Sequence, residues 1–232
     1  MGGSQQDWDY NDWLVDIDGT ATYDVGTGGS TNLRQLVFTF LPSTRGAAYS
    51  HAFHMRFPAN IFGSNGTAVL RTYDQNHNLI GSQTLPLNAA SINDYIIFPN
   101  TSTVFPGSIV NTIEEKAGEP MPPKRTTELT LNFTTPFPFN LRDYIPDSPH
   151  GLGMFFDPYI RVINTTEDIH TGDMRMLVVP ETAYLWPEEG LRIYLAYPNV
   201  TIFEGTQPSA IFPPLWWLNF NNCVYDGVAC TP

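Results

Sequence analysis

Basic residues are scarce in this sequence: 11 Lys and Arg stand against 23 Asp and Glu, a formal net charge of −12. Nucleic acid and anionic membrane surfaces both attract clustered Lys and Arg, so neither is expected as a partner, and cations fit better. No apolar run is long enough for a transmembrane helix, so no membrane insertion is expected. The opening Met1-Gly-Gly-Ser-Gln-Gln-Asp7 lacks the basic and apolar regions of a signal peptide, and the chain reads as the mature or trimmed form of an exported protein. Also missing are a Gly-x-Ser-x-Gly elbow, a His-Glu-x-x-His pair and a phosphate-binding loop, which removes the usual signatures of nucleophilic, zinc and nucleotide chemistry.

Cysteine is nearly absent too. Cys223 and Cys230 are the two present, in Cys223-Val-Tyr-Asp-Gly-Val-Ala-Cys230. Without a second pair or nearby histidines they make a poor zinc site, and no Cys-x-x-Cys redox motif occurs. Asp226-Gly227 offers a turn that would set the two cysteines opposite each other, so a disulfide is expected. Closing so short a loop would constrain the tail rather than the domain. Asn-x-Ser/Thr sequons stand at Asn65, Asn100, Asn132, Asn164 and Asn199. With the disulfide they favour an extracellular or cell-surface glycoprotein, where the source has the glycosylation machinery.

What is abundant is strand and turn material: aromatics reach 13 %, with 20 prolines and 18 glycines. Leu129-Leu131-Phe133 alternate with Thr130, Asn132 and Thr134, and Phe53-Met55-Phe57 with Ala52, His54 and Arg56, the period of strands with one wet face. Asn132, between inward-pointing neighbours, is expected outside. Leu70 to Leu85 reads as a hairpin turning at Asp74 to Asn78, where Asn and Asp tolerate positive φ. Further strands are expected at Trp13 to Tyr23, Leu33 to Leu41, Asp94 to Phe98, Ser108 to Glu114, Pro158 to Ile163, Met174 to Val179 and Leu191 to Tyr197. No segment keeps a helical period. The expected fold is all-β, a β-sandwich or jelly roll. The charged, proline-containing 114–125 stretch divides it into two packed sandwich lobes, 1–113 and 126–232.

The densest polar motif is Asp7-Trp8-Asp9-Tyr10-Asn11-Asp12-Trp13-Leu14-Val15-Asp16. Carboxylates so close repel one another, and a hard divalent cation with six to eight oxygen ligands relieves that repulsion. In an extended segment Asp7, Asp9 and Asn11 point one way and Trp8 and Tyr10 the other. An EF-hand is excluded, because Asp12 and Asp18 fall where its glycine and terminal glutamate belong, and Leu14, Val15 and Ile17 read as a strand rather than an exiting helix. The candidates are a structural calcium site built from some of Asp7, Asp9, Asn11, Asp12 and Asp16, and an acidic strand entrance held by Asx turns.

This motif resembles the opening of the LruC domain family of bacterial surface proteins, Gly-Asp-Tyr-Asp-Phe-Asn-Asp-hydrophobic-Val-hydrophobic-Asp-Tyr. Gln6 replaces its leading glycine and Ile17 its final tyrosine. Segments similar to later family motifs follow in order: Arg45 to Phe53, Val110-Asn111-Thr112, Phe156-Asp157-Pro158-Tyr159-Ile160, Val178-Val179-Pro180, Trp186-Pro187-Glu188-Glu189 and Ala196-Tyr197-Pro198-Asn199. His51-Ala52 departs from the family's Asn-Gly. The resemblance implies a surface location.

Other polar groups point to no catalytic constellation. His51 and His54 sit three apart on a strand, face opposite ways and cannot readily grip one metal, so they read as isolated surface or turn histidines. Glu167-Asp-Ile-His170-Thr-Gly-Asp173 reads as a solvated loop in preference to a second cation site. Glu188-Glu189 do not establish the separation that glycoside hydrolysis needs. In Phe212 to Phe220 core packing is the default reading of the aromatics; if Trp216 and Trp217 alternate across a strand, one is left outside, where it could stack on a sugar or another subunit. The leading expectation is a non-enzymatic, calcium-stabilised extracellular structural protein that self-assembles into a homo-oligomer or filament. A carbohydrate-binding module or adhesin that takes glycans comes second, and a glycosidase third.

Overall fold

The computed structural model describes residues 13–25, 31–45, 50–105, 124–139, 155–170, 199, 201–203 and 209–211. Its period-two segments become strands: β1 (Leu14–Val25), β2 (Thr31–Thr44), β3 (His51–Phe57), β4 (Gly66–Tyr73), β5 (Leu79–Leu87), β6 (Asn93–Phe98), β7 (Thr126–Pro138), β8 (Asp157–Val162), β9 (Asp168–His170), β10 (Thr201–Phe203) and β11 (Ser209–Ile211). Helix is confined, among the described residues, to the 3-10 turn Thr101–Thr103, capped by Asn100, whose Oδ1 accepts from the Ser102 N–H at 3.0 Å. The strand expectations at Ser108 to Glu114, Met174 to Val179 and Leu191 to Tyr197 lie outside the described residues.

Two antiparallel sheets pack face to face as a β-sandwich. One has the order β1-β2-β7-β4-β5 and the other β6-β3-β8-β9, while β10 and β11 pair with each other. The core is made by the inward-facing set of each sheet: Leu36, Phe38 and Phe40 of β2 with Leu129, Leu131 and Phe133 of β7, against Phe53, Met55 and Phe57 of β3 with Tyr95 and Ile97 of β6. Phenylalanines interlock between the layers, Phe38 with Phe57 at 5.8 Å and Phe40 with Phe53 at 6.0 Å between ring centroids. Such pairs contribute about 0.5–1.5 kcal/mol each beyond the area they bury.

Strands on the two sides of 114–125 are interleaved in both sheets. β7 hydrogen-bonds to β2 and to β4, and β8 to β3. Over the described residues, one sandwich drawing strands from both segments therefore replaces the expected pair of lobes. The proline-rich stretch falls between β6 of one sheet and β7 of the other, not at a boundary between cores.

The β4–β5 hairpin turns where expected. Asp74 Oδ1 accepts from the backbone N–H groups of Asn76 and Asn78, an Asx turn. The positive φ falls on His77 (59°) rather than on an Asn or Asp.

Candidate functional site

The outer face of the four-stranded sheet carries the main polar cluster. Antiparallel neighbours directly opposite each other share a face, and the register sets His54 opposite Tyr159, Tyr159 opposite His170, Arg161 opposite Asp168, and Arg56 opposite both Asp94 and Asp157. The rings form a ladder across three strands, with His54 stacked on Tyr159 at 4.6 Å and Tyr159 against His170 at 4.5 Å. Arg56 and Arg161 flank the tyrosine, their guanidinium carbons 5.6 and 5.8 Å from its centroid.

Each carboxylate in the cluster has a partner. The Tyr159 hydroxyl donates to Asp94 Oδ2 at 2.5 Å, and His54 Nδ1 lies 3.1 Å from Asp94 Oδ1. Since an ionised carboxylate only accepts, that nitrogen carries the proton in this contact. Arg161 grips Asp168 with two hydrogen bonds, Nε to Oδ1 at 2.6 Å and one terminal nitrogen to Oδ2 at 2.8 Å. Arg56 donates to Asp157 Oδ2, which also lies 2.9 Å from His170 Nδ1. Burial pushes the Asp94 carboxyl upward, but the His54 and Tyr159 hydrogen bonds outweigh it and hold the group below the ordinary carboxylate value. The Arg161 pair does the same for Asp168. Tyr159 is driven well above the usual phenol value by burial and by the Asp94 acceptor.

At neutral pH the cluster thus holds ionised Asp94 and Asp168 and a protonated Tyr159. It ties β6, β3, β8 and β9 together through side chains, with each carboxylate hydrogen-bonded and two of them, Asp157 and Asp168, paired with arginine. Of its members, His54, Asp168 and His170 were weighed from sequence as metal or cation ligands, and Asp157 and Tyr159 entered only through the LruC-like Phe156–Ile160 segment. Both expectations for the histidines need correction: His51 and His54 are each only 2 % exposed, not surface groups, and 168–170 is strand β9, not a loop. They do face opposite ways. His51 packs edge-on against Trp13 at 5.7 Å, whereas His54 joins the outer ladder.

Of the proposed calcium ligands, Asp16 lies in β1 opposite Leu41, between the core-facing Val15 and Ile17. Asp7, Asp9, Asn11 and Asp12 lie outside the described residues, as do Cys223, Cys230, Trp216 and Trp217. Among the described residues no three His, Cys, Asp or Glu side chains converge as a metal site. Asn65, Asn164 and Asn199 are exposed, and Asn100 is half-buried as a cap. Asn132 stands between buried Leu131 and Phe133, its Oδ1 accepting from Gln35 Nε2 at 2.8 Å.

A second surface feature is the end of the five-stranded sheet. Among the described residues β5 pairs with β4 alone, and residues 79–84 are exposed on both faces, including Leu79 at 54 % and Ile80 at 50 %. Residues 75–93 contain no Asp, Glu, Lys or Arg. Natural edge strands are blunted by charge, proline or bulges; this one carries no charge but has Pro86 and a register shift at Ile80.

Among the described residues, the fold and these surfaces define an all-β sandwich with a self-paired polar face and an edge strand, β5, bonded on one side. No protein-family model matches the chain, and no curated protein matches it. Among solved structures it is similar to the enzymatically active domain of tailspike protein 4 of bacteriophage CBA120, at 14 % identity and a TM-score of 0.25. That match covers 54 % of this chain and 18 % of the tailspike chain.

Proposed function

We propose that this chain is a non-enzymatic extracellular structural protein of LruC-like type, stabilised by calcium, that works as a subunit of a self-assembled cell-surface array. The observation that carries this reading is β5, a nine-residue edge strand that is uncharged and mostly exposed. An edge of this kind offers unpaired backbone groups to another chain, the standard basis of strand addition. The acidic opening segment and the sequons favour the extracellular, calcium-bearing form of the idea.

Light scattering and electron microscopy of the native material, with calcium and with chelator, test the proposal. Assembled particles whose thermal unfolding shifts upward with calcium are expected, since ligands that converge only in the folded chain couple metal to folding. Monodisperse monomers under both conditions would sink the assembly reading, and binding on a glycan array would then put the adhesin in its place. Equal melting temperatures in calcium and chelator would remove the metal.

A further inference from the structure

We propose that Asn164 carries an N-linked oligosaccharide, and that the β8–β9 turn holds Thr166 in a strained conformation because attachment needs its hydroxyl. The inference rests on the extracellular reading above and assigns one modification to it.

The turn is tight. Val162 N–H donates to the Glu167 carbonyl at 2.9 Å and Thr166 N–H to the Val162 carbonyl at 2.8 Å, closing the loop 163–166 between β8 and β9. The last residue of that loop, Thr166, has a φ of 57°, in the left-handed region where turns favour glycine or asparagine. Among the described residues two other non-glycines have positive φ, Asn60 and His77, and both are of types enriched there. Threonine is not. Its branched Cβ crowds the backbone in this region, so the turn is less stable than it would be with asparagine. The hydroxyl gives the fold little in return: it donates at 2.6 Å to the carbonyl of adjacent, exposed Thr165.

What threonine supplies here, and asparagine would not, is the third residue of Asn164-Thr165-Thr166, the hydroxyl that N-glycosylation requires. The acceptor itself is available. Oδ1 of Asn65 is held by the Ala89 N–H at 2.8 Å, that of Asn100 by the Ser102 N–H at 3.0 Å and that of Asn132 by Gln35 at 2.8 Å. The Asn164 side chain is exposed and hydrogen-bonds to none of the described residues, so a sugar there displaces no contact of the fold. The donor is a polyprenyl-diphosphate-linked oligosaccharide. Asn164 Nδ2 attacks its anomeric carbon: a C–N bond forms, the anomeric C–O bond breaks, the diphosphate leaves with the electron pair, and the amide gives up one proton without redox change.

Glycopeptide mass spectrometry of the full chain secreted from cultured eukaryotic cells, as wild type, Thr166→Ser and Thr166→Asn, tests the assignment. Thermal unfolding of the same three chains, made in a host that adds no sugar, tests its cause. Wild type and Thr166→Ser should carry sugar at Asn164, and Thr166→Asn should lose it there alone. Without sugar, Thr166→Asn should unfold about 2–4 °C above wild type, the shift expected for relieving one left-handed β-branched residue in a chain of this size. Asn164 left bare in secreted wild type overturns the assignment and leaves the extracellular reading standing. A Thr166→Asn midpoint at or below that of wild type shows that Thr166 serves the turn itself and overturns the proposal. Native protein recovered inside the cell, with no sugar at any sequon, overturns both the proposal and the extracellular reading.

Discussion

Gly66 opens β4 where that strand meets β7, and replacing it with alanine should expose how closely the two backbones approach. A Cβ built at Gly66 falls 1.9 Å from the Asn132 carbonyl oxygen and 3.0 Å from the Phe133 Cα. To reach ordinary contact the β7 backbone must retreat by about 1.5 Å, more than a ladder hydrogen bond can stretch and survive. The Gly66–Phe133 pair would open at about 0.5–1.5 kcal/mol per bond lost, with overpacking strain of about 1–3 kcal/mol where the chain resists. Because Gly66 is the first residue of its strand, fraying relieves part of this, and a net loss of about 2–3 kcal/mol is expected, a large share of the ~5–15 kcal/mol that holds a typical domain. Urea unfolding followed by tryptophan fluorescence would show it, since Trp13 packs on Phe53 and Phe98 in the fold. At a slope of about 1–3 kcal/mol/M the midpoint should fall by about 1 M. Gly81→Ala is the control: its Cβ meets nothing nearer than the Thr72 Cβ at 4.0 Å, so that change should be neutral or stabilise by up to about 1 kcal/mol. Equal midpoints for the two variants would refute the close approach.

Acid should weaken the fold through the outer cluster. Asp94 and Asp168 titrate below the unfolded value of 3.8, so their contribution is whole above that pH and disappears as pH falls through the folded values; Asp168→Asn should flatten this acid limb in stability measured by circular dichroism, and an unchanged slope would count against the Arg161 pair. At the alkaline end, burial raises Tyr95 to about 12 and Tyr159 further, so stability should decline only as pH climbs past the unfolded phenol value near 10. Absorbance at about 295 nm should then show these two phenols ionising together with loss of the fold, and full titration near pH 10 in a still-folded protein would contradict their burial. Expressed through a eukaryotic secretory route, Asn65, Asn164 and Asn199 should carry glycan more fully than Asn132, whose amide is engaged by Gln35; glycopeptide mass spectrometry showing Asn132 the most occupied would overturn that order.

Strands were legible wherever one face is apolar. Leu129-Leu131-Phe133 and Phe53-Met55-Phe57 alternate so regularly that burial of the odd positions follows from the pleat alone, and the Asp74 turn follows from its Asx chemistry. The polar ladder was not legible, because Asp94, His54 and Tyr159 become neighbours only through the β6-β3-β8 register, which local pattern does not encode. The alternation of Ala52, His54 and Arg56 marked the second face of β3 correctly. It gave no sign that Tyr159 would stack over His54 and bury it. The lobe boundary failed for the same reason: composition locates connections, whereas strand order decides which segments share a core.

That strand order also governs when the protein can fold. β7 sits in the middle of the five-stranded sheet, bonded to β2 on one side and β4 on the other, yet it is made after both, at residues 126–138. During synthesis, β2 and the β4–β5 hairpin must therefore wait with open inner edges and exposed phenylalanines until β7 arrives to join them. Such non-local pairing is slow, on the order of milliseconds to seconds, and the waiting chain is open to wrong partners. A chain interrupted before residue 126 would lack the strand that joins β2 to β4, and should aggregate or be degraded rather than persist as a half-sandwich.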